Sequence, residues 1–547
     1  MCGQGDDLRA RPSFGPWPRR SDTSAPAPPC VTPELVRAVQ EQDRGSLPDR
    51  PYPPALAAFV ASLEEWRVRL AEHFALSSSC YAANTRAAAQ RIRRRLACID
   101  PDRRCRIMRV VTQGYRIPLS SAPPAFHRAH NSPDLLAHTA EAWAAIRKDM
   151  SHGAIVPCDL RQGAPHVVSP VRTAPKGWRT GKRRFVVNMR YINRFVPESA
   201  STCSLETLSR IRGLLEFPPQ ESPVSWFISM DLASGYHNFW VCKEQWHLMG
   251  FALHVSELPD EAVSFLRQNY PHCERAATGL FYFTMRALPF GLAPSCAVFS
   301  DVITALASAW RRHRVATWPV RITSYIDDFL SVSRCVPSRI ACLDRVSRAR
   351  RLKTQPHAFR TARAALITAI ELVYEATACG LTINVAKCRL GPATRVRYLG
   401  LIIDSRSHEF RVPAARAERV TFQVRELSNL VHANPTGGRL VPARSIDSLV
   451  GLLWALSPCC PRGVAMCARG MIACLTDAMA ASVWCSGPAL SARAAAPGAP
   501  WSSALRRVLA HFWSGSVSWS AAADRDLAFW RNINFSSLRF APRFLLA

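Results

Sequence analysis

Two adjacent acids stand between two stretches of β-forming residues. The segment ITSYIDDFLSVS, residues 322–333, places Asp327 and Asp328 among Ile, Tyr, Phe, Leu and Val residues that favour a buried strand. The pair either forms a turn or supplies carboxylates to a metal ion. A third acid, Asp231, ends the alternating run WFISMD, residues 226–231. Carboxylates at adjacent strand ends repel each other unless a divalent cation neutralises them, so this set of acids favours a metal site.

Such a site suits phosphoryl transfer. Two Mg²⁺ ions, for which Mn²⁺ can substitute, would activate an attacking hydroxyl and stabilise the leaving oxygen. Neighbouring strand residues point to opposite faces, so only one member of the pair can face Asp231 directly. We therefore predict Asp231 and Asp327 as the principal ligands and Asp328 as the auxiliary one.

The charge of the chain predicts a polyanionic partner. The formal net charge of +30 favours nucleic acid, because neutralising phosphates releases counterions. Nearly all of this charge is arginine, and a GC-rich coding bias would give the same excess. A hydrophobic content of 48% over 547 residues predicts a folded, globular protein.

The cysteines and the apolar segments predict a compartment. The odd number of cysteines, 19, and an N-terminus without an apolar signal core indicate a reducing intracellular setting, cytoplasmic or nuclear. The apolar run SLVGLLWALSPCC is too short to span a bilayer, so we expect no membrane association. One group of cysteines has no CxxC spacing and predicts buried thiols rather than a zinc site: Cys459, Cys460, Cys467 and Cys474.

The order of elements predicts an α+β fold. Residues 1–55 are rich in Pro and Arg and predict a disordered tail, and residues 56–134 predict basic helices and a linker. A new domain is expected near Leu135, opening with a helix that ends near His152. Strands and helices then follow without regular βαβ spacing, which predicts an α+β core.

Several segments, taken in order, resemble the motifs of reverse transcriptases. They are FISMDLASGYH, MRALPFGLAPSCAVF, YIDD, GLTINVAKCRL and VRYLGLIID for the palm, and GAIVP to RRFVVNMRYINRFV for the fingers. The resemblance runs over residues 135–404. It implies a right-hand polymerase with fingers, a palm of antiparallel sheet and helices, and a thumb. The implied activity is RNA-directed DNA synthesis, in which deoxynucleoside triphosphates extend a primer on an RNA or DNA template.

The resemblance also implies roles for individual residues. Tyr236 corresponds to the steric gate that excludes a 2′-hydroxyl, with a core tyrosine as the alternative. Lys387 corresponds to a lysine that can protonate pyrophosphate, with a salt-bridged surface lysine as the alternative. Other implied nucleotide contacts are Lys176, Lys182, Arg184, Phe290 and Gly291. The implied primer grip is Tyr398, Leu399 and Gly400.

The remaining chain and the departures from the pattern define the alternatives. Residues 405–480 resemble the thumb of retrotransposon polymerases of the DIRS-like, tyrosine-recombinase class. Residues 481–547 predict an extension without RNase H, a domain that would normally follow in such elements. Asn188 replaces a common Asp, and the spacings after Phe251 and Asp328 are long. These departures favour a domesticated or inactive relic that binds RNA or DNA. The intact acids favour the enzyme, and Tyr236 disfavours an RNA polymerase.

Overall fold

The structure is a computed structural model that divides into two compact units. The first unit comprises the described residues up to Ala393, and the second comprises those from Thr394 onward. The structure describes residues 24–42, 51–76, 79–127, 130–176, 180–203, 205, 225–314, 320–333, 357–407, 409–433, 440–456, 459, 468–485, 515–535 and 539–540. Strands and helices are mixed in both units, so the predicted α+β class is confirmed.

Helices form much of the first unit. They are α1 (Pro33–Gln42), α2 (Pro54–His73), α3 (Tyr81–Ala87), α4 (Ala89–Arg95), α5 (Pro101–Gln113), α6 (Thr139–Ser151), α7 (Arg190–Asn193), α8 (Asp260–Asn269), α9 (Ser295–Arg314) and α10 (His357–Ala378). Helix α6 ends where the sequence predicted, with His152 as its C-cap and Gly153 at a φ of 70°. Because glycine adopts this left-handed backbone without strain, it stops the helix and directs the chain into the next strand.

A four-stranded antiparallel sheet, the palm sheet, forms the centre of the first unit. Its strands, in spatial order, are β10 (Val320–Tyr325), β11 (Asp328–Ser333), β6 (Trp226–Asp231) and β12 (Arg389–Ala393). Helix α9 packs against β10, and α10 packs against the other three strands. The rings of Trp310 and Phe329 stack at 5.5 Å between centroids, and both residues are buried. The apolar residues of β6 and β11 are therefore buried under these helices.

The remaining strands of the first unit form a larger sheet and a hairpin. The larger sheet contains β1 (Phe126–His127), β3 (Val167–Ser169), β7 (Gly250–His254), β9 (Leu280–Met285) and β2 (Ile155–Pro157), with β8 (Glu274–Arg275) beside β9. The hairpin pairs β4 (Val171–Pro175) with β5 (Arg183–Val187). The long spacing after Phe251 is occupied by β7, α8 and β8, which are ordered elements.

The second unit combines a small sheet with helices. Strands β13 (Arg395–Tyr398), β14 (Leu401–Asp404), β15 (Glu409–Arg411) and β18 (Arg539–Phe540) form one sheet. Strands β16 (Leu440–Pro442) and β17 (Ser516–Ser518) form another. Its helices are α11 (Ala414–His432), α12 (Ala443–Trp454), α13 (Arg469–Cys485) and α14 (Ala521–Arg531).

The described N-terminal residues depart from the sequence interpretation. Helix α1 lies inside the predicted tail of residues 1–55, so the tail prediction does not hold for Pro33–Gln42. Its apolar residues Leu35, Val36 and Val39 are buried, and it packs on α2 and α10. The proline-rich composition of the segment hid this short amphipathic stretch. Contacts also join α2 to α10, so the predicted helical region and the palm belong to one unit.

Two of the four grouped cysteines lie within the described residues. Cys459 and Cys474 are buried and are not in disulfide bonds, and Cys460 and Cys467 lie outside the described residues. None of the helices that the structure describes is both long enough and apolar enough to cross a membrane.

Candidate active site

Three acids lie at one end of the palm sheet. Asp231 is the last residue of β6, Asp328 is the first residue of β11, and the antiparallel register pairs them directly. Asp327 and Ile326 form the turn between β10 and β11, where Ile326 has a φ of 54°. The Asp327 carbonyl accepts a hydrogen bond from the Leu232 N–H at 3.0 Å. This backbone contact ties the turn to the end of β6.

The register separates the roles of the two adjacent acids. Directly paired residues of antiparallel strands project from the same face of a sheet, so Asp328 shares a face with Asp231. Asp327, which the sequence assigned as the principal ligand, lies in the turn and outside this alternation. The acidic pair therefore forms a turn and also belongs to a cluster of three acids. Which of Asp327 and Asp328 is the principal metal ligand stays a prediction.

Burial and neighbouring negative charges raise the pKa values of two acids of this cluster, Asp327 and Asp328. Burial first, and then the neighbouring charges of Asp327 and Asp231, raise the pKa of Asp328 to about 6. Burial and the charge of Asp231 also raise the pKa of Asp327, while Lys387 and Arg184 oppose that shift. The three carboxylates therefore repel one another, and positive charge at this place is favourable.

Lys387 supplies part of that positive charge. Its Nζ lies 3.2 Å from Oδ2 and 3.4 Å from Oδ1 of Asp231, and its side chain is 58% exposed. The Asn384 N–H donates to the Asp231 carbonyl at 2.9 Å and fixes the short turn that carries the lysine. Lys387 is therefore in a salt bridge, as the alternative interpretation of this residue expected. Its role in protonating pyrophosphate stays a prediction.

The cations predicted for the triphosphate lie together at one end of the β4–β5 hairpin. Lys176 and Arg184 lie at the end of the hairpin of β4 and β5, and the Lys176 N–H donates to the Lys182 carbonyl at 2.7 Å. Burial and the charges of Lys387, Arg184, Lys148 and Lys182, in that order, lower the pKa of Lys176. A lysine that is repelled by four other cations is suited to a polyanion.

Aromatic rings enclose the predicted steric gate. Tyr236 lies 4.9 Å from Phe290 and 5.3 Å from Phe299, measured between ring centroids. The guanidinium of Arg184 lies 5.3 Å from the centroid of Phe290, which is 40% exposed. A Cβ on Gly235 would lie 2.9 Å from Phe299 Cζ, so glycine is required for this close packing. The gate ring is therefore held by its neighbours at one defined position.

Gly291 lies in the turn that leads into α9. Its φ is 89°, and its carbonyl accepts a hydrogen bond from Asn193 Nδ2 at 2.8 Å. Asn193 Oδ1 also accepts from the Ala293 N–H at 2.9 Å. Pro294 immediately precedes α9, and its carbonyl accepts from the Val298 N–H at 2.9 Å. These contacts fix the backbone beside Phe290.

The predicted primer grip is the turn of a hairpin in the second unit. Tyr398 ends β13, and Leu399 and Gly400 have φ values of 48° and 75°, as in a tight two-residue turn. Arg416 Nη1 donates to the Leu399 carbonyl at 3.2 Å. In the same hairpin the buried Asp404 accepts from Arg395 Nε. The hairpin is well defined, and its role toward a primer stays a prediction.

The carboxylates of Asp231, Asp327 and Asp328 are the type of ligand that binds a divalent cation. Carboxylate oxygens are the ligands that Mg²⁺ prefers, and a cation would offset both causes that raise the pKa of Asp328 to about 6, which are burial first and then the like charges of Asp327 and Asp231. Within the described residues, no three His, Cys, Asp or Glu side chains lie close enough to hold one ion as they stand. The side chains of Asp231, Asp327 and Asp328 would therefore rotate to bind it, as short carboxylates at a strand end can do.

Sequence reasoning missed a polar cluster behind the gate. Oδ1 of Asp149 on α6 lies 3.6 Å from Nδ1 of His237, the residue after Tyr236, and His237 is 4% exposed. His152 Nε2 lies 3.1 Å from the Tyr81 hydroxyl. Because these contacts join elements distant in sequence, no local pattern indicates them. The only available signal was the pair of polar residues at the end of α6.

Three acids lie at one end of an antiparallel sheet, and Lys387 is ion-paired to one of them. Residues 174–403 match the family described as reverse transcriptase (RNA-dependent DNA polymerase). This part of the chain, which is less than half of its length, is therefore similar to a reverse transcriptase domain. No curated protein matches the sequence.

Solved structures of foamy viral proteins are similar to part of the chain. The protease-reverse transcriptase dRH in complex with double-stranded DNA has 13% identity and a TM-score of 0.42, covering 81% of this chain and 59% of its own. The protease-reverse transcriptase in complex with an RNA/DNA hybrid has 12% identity and a TM-score of 0.42, covering 81% and 45%. This chain thus spans less than two thirds of the length of these relatives.

Proposed function

We propose that the protein extends a primer on an RNA or DNA template with deoxynucleoside triphosphates, as the polymerase of a retroelement. The direct pairing of Asp231 with Asp328, beside the Asp327 turn, is the observation that carries the proposal. The match to the reverse transcriptase family supports it, because the matched segment includes all three acids. The DIRS-like class and an intracellular location are further parts of the proposal, supported by the sequence alone.

In this proposal the acids hold two Mg²⁺ ions. The ions would supply positive charge at the primer hydroxyl and at the leaving oxygen. The chain's own groups do the positioning. Lys176, Lys182 and Arg184 bind the triphosphate through charge-assisted hydrogen bonds. Tyr236 excludes nucleotides with a 2′-hydroxyl.

The alternative function is a relic that binds nucleic acid without catalysis. The net charge of +30 supports binding in either case, because phosphate neutralisation does not need the acids. The long spacing after Asp328 includes residues 334–356, which lie outside the described part of the chain. The acids distinguish the alternatives, because a binding protein has no need to bring carboxylates together at a site for polyanions.

The test is primer extension on an RNA template with labelled deoxynucleotides and Mg²⁺. We expect extension by the parent, and a loss of roughly a thousandfold in an Asp327→Asn, Asp328→Asn double variant that can no longer hold the ions. Asp260→Asn, an exposed acid on α8, is the matched control and should extend normally. A folded parent that binds primer-template but extends nothing, with Mg²⁺ or Mn²⁺, would establish the relic instead.

A further inference from the structure

A buried asparagine, Asn238, lies two residues after the predicted steric gate and was not among the residues that the sequence singled out. The residue is 0% exposed. Its Nδ2 donates to the Gly235 carbonyl at 2.9 Å and to the Ala233 carbonyl at 3.4 Å. Its Oδ1 accepts from the Thr382 N–H at 3.1 Å. Because a carbonyl can only accept and an N–H can only donate, these partners fix the orientation of the amide.

These bonds join the loop that carries the gate to a segment 144 residues later in the chain. The gate loop, residues 232–238, follows the first acid of the site and ends in a short 3₁₀ turn. Its Ala233 N–H donates to the Thr382 carbonyl at 2.8 Å. Beside it, the Asn384 N–H donates to the Asp231 carbonyl at 2.9 Å. The buried amide is therefore the side-chain member of a larger link between the gate loop and the segment that leads to the ion-paired lysine.

The bond to Gly235 lies at the point where the gate loop meets the acids. A Cβ on Gly235 would lie 3.0 Å from the Cβ of Asp327 and 2.9 Å from Cζ of Phe299, so the backbone has no free space on that side. Gly235 also precedes Tyr236, whose ring packs on Phe299 with 5.3 Å between centroids. Ser234 has a φ of 45°, an uncommon backbone for serine that neighbouring contacts must hold. A bond that holds the Gly235 carbonyl therefore determines where the gate ring lies.

We propose that Asn238 is a positioning residue for sugar selection, which holds the gate loop so that the Tyr236 ring excludes a 2′-hydroxyl. This inference rests on the proposed function. Asn238 is fully buried, so it acts through the gate ring and not by touching the nucleotide. Without its two donated bonds, the carbonyls of Gly235 and Ala233 lose a buried partner, and the loop shifts to find another. The space at the sugar then widens, and ribonucleotides enter more readily.

The experiment compares Asn238→Asp with Asn131→Asp in primer extension. Aspartate has the same shape and can still accept from the Thr382 N–H, but a carboxylate cannot donate to the two carbonyls. The half-buried Asn131 is the matched control, because its amide also joins distant segments of the first unit. Its Nδ2 donates to the Ala252 carbonyl at 2.9 Å, and its Oδ1 accepts from the Val171 N–H at 2.9 Å.

The readout is ribonucleotide incorporation relative to deoxynucleotide incorporation, measured as the ratio of the two kcat/KM values. For Asn238→Asp we expect this ratio to rise about threefold to tenfold, the range for one or two lost hydrogen bonds. For Asn131→Asp we expect no change in the ratio. In a Tyr236→Ala background, Asn238→Asp should change the ratio no further, because the ring that it positions is absent. An unchanged ratio in Asn238→Asp, an equal rise in Asn131→Asp, or a full further rise in the Tyr236→Ala background refutes the inference and leaves the polymerase standing.

A second variant and a binding assay cover the remaining outcomes. Asn238→Ala buries no charge and should raise the same ratio, and loss of folding in both variants would assign Asn238 to the fold alone and refute the inference. If the parent extends nothing, the proposed function fails, and calorimetric titration with the magnesium salts of a deoxynucleoside and a ribonucleoside triphosphate decides. A preference of the parent for the deoxynucleotide that Asn238→Ala loses supports the inference. Binding of both nucleotides equally or of neither by the parent, or a preference that the variant keeps, refutes it.

Discussion

Folding buries the carboxyl group of Asp149, which disfavours its charged form. Burial raises its pKa to about 6, and the positive charges of His152 and Lys148 only partly oppose the shift. Its carboxylate lies 3.6 Å from the nearest nitrogen of His237. We expect Asp149→Asn to increase the free energy of unfolding at neutral pH, because the amide has the same shape and no charge to desolvate.

The size of this effect depends on pH. The ordinary pKa of 3.8 applies in the unfolded chain, so the folded protein binds the proton more tightly. The corresponding stability is fully present below pH 3.8 and is lost as the pH rises through 6. A shift of about two units is worth about 3 kcal/mol, since one unit corresponds to ~1.4 kcal/mol. The asparagine variant should gain this amount above pH 7 and almost nothing near pH 4.

Urea unfolding between pH 4 and pH 8 measures the difference. Amide hydrogen exchange in α6 assigns it to the first unit. His237, whose pKa burial lowers to about 4, is present in both proteins and largely cancels. Glu65→Gln, an exposed acid on α2, should show no such dependence on pH. A variant that is equally stabilised at pH 4 and pH 8, or destabilised at pH 8, would refute the reasoning.

Three further substitutions test the packing around the site. Tyr236→Ala should increase ribonucleotide incorporation relative to deoxynucleotide incorporation about tenfold to a hundredfold, measured as the ratio of the two kcat/KM values. An unchanged ratio would show that Tyr236 does not exclude the 2′-hydroxyl. Phe299→Ala should lower the free energy of unfolding by about 3–5 kcal/mol in urea titration, because the ring is fully buried, and a loss below 1 kcal/mol would contradict this. Gly380→Ala should destabilise by more than about 1 kcal/mol, because the new Cβ would lie 2.3 Å from the Asn84 carbonyl oxygen at a φ of 68°. Gly451→Ala is the control in α12, where the Cβ meets nothing, and should stabilise slightly.

The parts of the site that sequence predicted are those set by short patterns. The alternation of β6 ends at Asp231, as the run WFISMD indicated, and β11 begins within the acidic pair. Gly291 takes the left-handed backbone of the turn before α9. Such features depend on neighbouring residues, and two or three positions are enough to specify them.

The parts that sequence could not predict depend on contacts between distant segments. The direct pairing of Asp328 with Asp231 depends on strand register, which no single strand specifies. The cluster of Asp149 with His237 joins a helix to a loop far along the chain. Helix α1 is ordered because α10 covers its apolar face, although its composition resembles a tail. Tertiary burial outweighed local composition in this case.

Helix α2 has a consequence for work with shortened forms of the protein. Five of its apolar residues are buried, and the Trp66 ring stacks on Tyr374 of α10 with 6.2 Å between centroids. The segment that matches the reverse transcriptase family begins at residue 174 and contains α10 without this cover. A chain cut to the matched segment would expose that apolar surface and aggregate during expression. We therefore expect the smallest soluble form of the first unit to begin at or before α2, well ahead of the matched segment.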